Sequence, residues 1–158
     1  MRIEVDEGRW PDLTRFRKAC LADDVETMQE IVRKEPEWYP NNNPRYLEMA
    51  DLAKIFQAQH YSSENDLENL RAVLEAAPWT VNQPWTAEEW LPITQAACSH
   101  GDRKLIEFLL DVGADPTLTV GGPGQEATVP EMARWGGNDE LAEWLEEVIE
   151  HRSVESTK

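Results

Sequence analysis

Leu91-Pro-Ile-Thr-Gln-Ala-Ala-Cys-Ser-His-Gly-Asp-Arg-Lys-Leu-Ile-Glu-Phe-Leu-Leu-Asp-Val-Gly-Ala-Asp115 contains two helical phrases separated by a turn. The first phrase is short and carries the small pair Ala97-Cys98; the second sets Leu105-Ile106 and Leu109-Leu110 on one helical stripe. Asp102 stands just before the second phrase, where a side-chain oxygen accepts from the free N–H groups of a first helical turn, and Gly113 stops the helix.

The pattern recurs along the chain. Asp23, Asn65, Gly101 and Gly137 are each followed by Asp or Asn (Asp24, Asp66, Asp102, Asn138) and then by a helical run. Met28, Leu70, Ile106 and Ala142 fall in one apolar column, and Ile31, Val73, Leu109 and Leu145 in the next. Successive copies lie 42, 36 and 36 residues apart, a period that marks stacked repeats. Val25, Met28, Ile31 and Val32 form a helical stripe that Leu67, Leu70, Val73 and Leu74 repeat, and Pro36 and Pro78 end these runs. Each unit is therefore a short helix, a tight turn, a longer helix and a loop. Such a unit is too small to bury its own apolar face, so burial requires its neighbours. Ala19, Ala97 and Ala133 suit the close approach of adjacent hairpins.

This text resembles the ankyrin repeat in Ala97-Cys98, Gly101, the paired leucine and isoleucine positions, and Gly113-Ala114-Asp115. The first copy keeps Ala19-Cys20, Asp23-Asp24, Met28 and Ile31-Val32, with Glu35-Pro36 near the family's Gly-Ala-Asp. The fourth keeps Ala133, Gly137, Leu141 and Leu145, and places Glu146 where Leu110 stands in the third, so it reads as a polar end cap. Pro92-Ile93-Thr94-Gln95 approximates the usual Thr-Pro-Leu-His opening. The resemblance covers residues 12 to 150 and implies an all-α ankyrin-repeat solenoid of about four helix-loop-helix units with projecting loops or short hairpins. The expected division of this one domain, 1–158, is 12–44, 45–90, 91–127 and 128–150, with a frayed tail over 151–158.

The chain of 158 residues carries 31 acidic and 15 basic side chains, a net charge of −16. Such a surface repels nucleic acid and anionic lipid and favours encounter with positively charged partners. No apolar run is long enough for a membrane span, and the N-terminus lacks the apolar region of a signal peptide. Cys20 and Cys98 occupy equivalent columns two copies apart and are expected to be buried, reduced and non-catalytic, in keeping with a cytoplasmic protein.

His60, His100 and His151 form no metal-ligand spacing with the cysteines, and the segment from His60 to Asp66 lacks the glycine-centred order of a calcium loop. Gly121-Gly122-Pro123-Gly124 has neither the Lys-Ser/Thr nor the spacing of a phosphate cradle. The expectation is a protein without catalytic residues, metal or cofactor.

Binding remains, and the loops and aromatic residues locate it. In the family, partners dock on the finger loops and on the concave face of the first helices; by this analogy the residues after the Ala-Cys pair point into the groove. These are Leu21-Ala22, Ser99-His100 and Trp135-Gly136. Trp38 and Trp79 follow the ends of copies and are expected to close the core, whereas Tyr39, Trp85 and Trp90 lie near loop tips beside Glu88-Glu89. The second copy carries a six-residue excess, read as a first helix over 45–59, with Met49, Leu52, Ala53 and Phe56 on one face, extended toward His60 and Tyr61. The expected contact set is Tyr39, Tyr61, Trp85, Glu88, Glu89, Trp90, Ser99, His100 and Trp135, aromatic anchors rimmed by carboxylates that suit a protein with a basic surface. The function expected is protein binding, and in its sharper form stoichiometric inhibition, as by an immunity protein of a bacterial toxin–antitoxin pair. The alternatives are a general scaffold or adaptor, and an enzyme or small-molecule binder.

Overall fold

Asp23, Asn65, Gly101 and Gly137, the four residues that mark the repeat, all have left-handed backbone, with φ of 55°, 57°, 64° and 86°. Only glycine enters this region freely, and Asn and Asp are the side chains that tolerate it best, which explains the composition of the column. In the computed structural model, which describes residues 11–34, 48–84, 90–122 and 124–156, each of these residues reverses the chain between two helices. The helices are α1 (Pro11–Leu21), α2 (Val25–Lys34), α3 (Met49–Ser63), α4 (Leu67–Ala76), α5 (Pro92–Ser99), α6 (Arg103–Asp111), α7 (Val129–Trp135) and α8 (Asp139–Ser156), with a 3₁₀ turn over Pro78–Asn82.

The following column caps the second helices. Carboxylate oxygens of Asp24, Asp66 and Asp102 accept from the amides of Thr27 (3.2 Å), Asn69 (3.2 Å) and Lys104 (2.9 Å), and Asn138 Oδ1 accepts from Leu141 (3.0 Å). Backbone bonds close the same turns from behind: the amides of Asp24, Asp66 and Asn138 donate to the carbonyls of Ala19, Tyr61 and Ala133 at 2.8, 2.9 and 2.9 Å. In the third copy the corresponding bond starts one residue earlier, from Gly101 to Ala96.

Each first helix packs on its own second helix, and the first helices also pack in a row, α1 on α3, α3 on α5 and α5 on α7. Both apolar columns are buried in all four copies: Met28, Leu70, Ile106 and Ala142 are fully enclosed, as are Ile31, Leu109 and Leu145, with Val73 nearly so. Among the described residues the chain is all-helical. Its extended pairing is an isolated antiparallel bridge, Val120 with Ala127, closed by reciprocal bonds of 2.9 and 2.8 Å that form a small finger between α6 and α7.

Four sequence expectations need correction. Helix α3 begins at Met49, after Glu48 in extended conformation, instead of at residue 45, and it continues through His60 and Tyr61, as expected, to Ser63. It buries Leu52, Ala53, Ile55, Gln57, Ala58, Gln59 and Ser62, far more than one face, because it is wedged between α1 and α5 while also covering α4. Trp79 is 39% exposed instead of closing the core; the 3₁₀ turn buries Thr80 and Val81 in its place. Cys98 is only partly buried, although Cys20 is fully so, and both are free thiols. Helix α8 continues through Ser156, where a frayed tail was expected from residue 151. Trp38 lies outside the described residues.

The apolar interior divides at α3. Phe16, Ala19, Cys20, Met28, Ile31, Leu52, Ala53 and Ile55 form one cluster, and the residues from Ala58 to Leu145 form a second, larger one. Polar bonds join the copies along the turn edge. Gln57 Nε2 donates to the Cys20 carbonyl (2.7 Å) and to Asp23 Oδ1 (2.9 Å), Lys54 pairs with Asp23 (3.1 Å), and Asn65 Nδ2 donates to Asp102 Oδ2 (2.9 Å).

Candidate partner-binding surface

Helix α7 is short, and its composition decides which side faces water. Thr128 caps it by accepting from the Glu131 amide (3.2 Å), and Val129, Pro130, Met132 and Ala133 are buried. Glu131 and Trp135, one turn apart, are left on the outer side, and Trp135 is 67% exposed. This is the most exposed large apolar side chain among the described residues.

Gly136 fixes how close this helix end lies to the third copy. A Cβ at that position would stand 2.3 Å from the Cys98 carbonyl oxygen, so only glycine permits the approach. The ends of α5 and α7 thereby lie side by side, with exposed Ser99 and His100 on one and Trp135 on the other.

Trp90 enters from the segment that leads into α5. Its ring centroid is 6.3 Å from that of Trp135, with the planes tilted by 54°, and its body packs against the larger apolar cluster. The Trp90 backbone is held from within: Gln59 Nε2, on a side chain buried in α3, donates to the Trp90 carbonyl at 2.7 Å and to the Gln83 carbonyl at 3.2 Å. One amide thus clamps both ends of the connection between the second and third copies.

The structure therefore brings Trp90 and Trp135 together and sets Ser99 and His100 beside them on the neighbouring helix end. Tyr61 is half-buried against the larger cluster, and its ring neighbour is His60, edge-on at 5.5 Å. It fills the column occupied elsewhere by Ala19, Ala97 and Ala133, which gives it a packing role. Tyr39, Trp85, Glu88 and Glu89 lie outside the described residues. Gln57 and Gln59 escaped the sequence reading: both sit in a stretch that reads as amphipathic, and no local signal shows that a helix flanked on two sides buries its glutamines.

The titratable groups mostly serve the fold. Burial, reinforced by the Asp23 carboxylate, pushes the Cys20 thiol up to about 12, so it stays protonated and unreactive. Burial lowers the His60 imidazole below its ordinary value against the opposing pull of Glu64 and Asp66. Asp24, Asp102 and Asp115 are lowered by hydrogen bonds that they accept, chiefly from Thr27, Asn65 and Thr117 respectively. Among the described residues no group of three His, Cys, Asp or Glu side chains is placed to hold a metal ion, and no helix is long and apolar enough to cross a membrane. Comparison with family models, with curated proteins and with solved structures found no match to this chain.

Proposed function

We propose that the chain is an ankyrin-type repeat module that binds a protein with a basic surface, without catalysis of its own, through the face that carries Trp90, Ser99, His100 and Trp135. The observation that carries this reading is Trp135, an indole 67% exposed beside a second tryptophan in a chain of net charge −16. A large aromatic group left in water at the meeting of two helix ends, with the exposed Glu131 one turn away, has the composition of an interaction hot spot. The ankyrin part of the proposal is supported by the fourfold left-handed turn, the fourfold cap and the row of first helices. The sharper form is a stoichiometric inhibitor, in the manner of an immunity protein that neutralises a basic bacterial toxin.

The test is affinity capture from native lysate with the full chain, the Trp135→Ala variant and a variant with Glu88 and Glu89 both changed to Lys. The expected partner is a basic protein held in an equimolar complex, released by salt and captured roughly tenfold more weakly by Trp135→Ala. A partner held equally by all three proteins at low and high salt would overturn the reading. Loss of the captured protein's own activity in the complex would separate an inhibitor from a scaffold.

A further inference from the structure

We infer that Trp135 receives an arginine side chain of the partner, with the guanidinium over the open indole face and paired with Glu131 one helical turn away. This deepens the protein-binding reading and rests on it. Three observations lead to arginine in particular.

The first is how this chain treats two of its half-buried aromatic rings. Arg71 of α4 holds its guanidinium carbon 4.9 Å from the ring centre of Phe108 in α6, and Arg103 of α6 holds its own 4.4 Å from the ring centre of Trp144 in α8. In each case an arginine from one helix pair covers a ring in the next. Among the described residues no arginine stands over Trp135 in this way, and its neighbour in sequence, Arg134, is engaged by Glu146. The ring neighbour of Trp135 among the described residues is Trp90, 6.3 Å away and tilted by 54°, and Trp135 is still 67% exposed.

The second is the distribution of charge. Residues 11–34, the first helix pair, carry five acidic and five basic side chains, whereas residues 128–152 carry seven acidic side chains against Arg134 and Arg152. The helix pair that presents Trp135 is thus more acidic than the first pair. Glu131 is exposed on the same side of α7, and its side chain enters none of the ion pairs among the described residues. A net negative helix pair draws a cation toward this end of the chain.

The third is the chemistry of the cation. A guanidinium is planar and weakly hydrated, so it stacks on an indole and still donates a paired bond to a carboxylate, whereas an ammonium keeps its water. An aromatic face with one carboxylate beside it therefore selects arginine over lysine.

The probes are three end-blocked peptides of equal length: hexa-arginine, hexa-lysine and hexa-citrulline, the last having the shape of arginine without the charge. Binding to the full chain is followed by calorimetry at about 0.15 M salt, where exposed charge attraction is largely screened. Hexa-arginine is expected to bind more tightly than hexa-lysine, and hexa-citrulline not measurably. Trp135→Leu, which keeps apolar bulk but removes the ring, is expected to weaken hexa-arginine by about three- to fivefold and leave hexa-lysine unchanged. Trp135→Phe should recover part of the loss, and Glu131→Gln should weaken hexa-arginine alone. Circular dichroism and the midpoint of urea unfolding establish that each variant is folded, as expected for an exposed position. Equal loss for both basic peptides in Trp135→Leu, or none, would overturn the arginine site while leaving an acidic protein-binding surface in place. No binding by either basic peptide would overturn both readings.

Discussion

Asn65 has two tasks in a single turn. Its backbone takes φ of 57°, and its side chain crosses to the next copy to donate to Asp102 at 2.9 Å. Substitution separates the two. Asn65→Gly keeps the left-handed backbone and loses only the exposed bond, whereas Asn65→Ala loses the bond and forces alanine into a conformation that costs about 1–2 kcal/mol. Urea denaturation should therefore rank wild type above Asn65→Gly and Asn65→Gly above Asn65→Ala; equal stability of the two variants would count against the backbone explanation. Asp23 follows the same logic, since its carboxylate binds Lys54 and Gln57 of the second copy while its φ is 55°. The repeat marker is thus a column of turn residues whose side chains, where present, join neighbouring units.

Helix α3 is the element on which the assembly turns. It lies against α1 on one side and α5 on the other, and each apolar cluster ends on it. That position explains two buried glutamines: Gln57 satisfies the Cys20 carbonyl behind it, and Gln59 satisfies the carbonyls of Gln83 and Trp90 ahead of it. Gln59→Leu, close in volume, would leave both of the latter without this donor. A loss of about 1 kcal/mol in unfolding free energy is expected, because part-buried carbonyls stripped of their donor recover only some of their hydration. The Trp90 indole proton resonance should shift in the same variant, since the backbone that places the ring is no longer clamped. Unchanged stability and an unchanged resonance would show that the clamp does not position Trp90.

Across the whole molecule, acid should act in two stages. His60 is lowered below 6.5 by burial between Phe56, Tyr61 and the turn, with Arg17 adding to the effect and Glu64 and Asp66 opposing it. Its neutral form belongs to the fold, so its contribution is complete above 6.5 and is lost as pH falls toward the lower folded value. Asp24, Asp102 and Asp115 are lowered below 3.8; the stability they add is present above that value and disappears as pH falls through their folded values. Stability measured from pH 7 to 5 should decline in the wild type and stay flatter in His60→Phe, which keeps an aromatic ring there; parallel curves would contradict this account. Much of the architecture is legible in the sequence because it is local. The left-handed column, the caps and the two apolar columns are set by φ restriction, side-chain reach and helical period, which operate within a few residues. Trp135 is singled out in the sequence by analogy with the repeat family, two places after Ala133, and its 67% exposure is what the structure adds. Contacts across copies decided the remainder. That Tyr61 packs, that Trp79 faces water, that Gln59 holds Trp90 and that Trp90 meets Trp135 all depend on which helix lies on each side, a property of stacking that no local stretch of chain encodes.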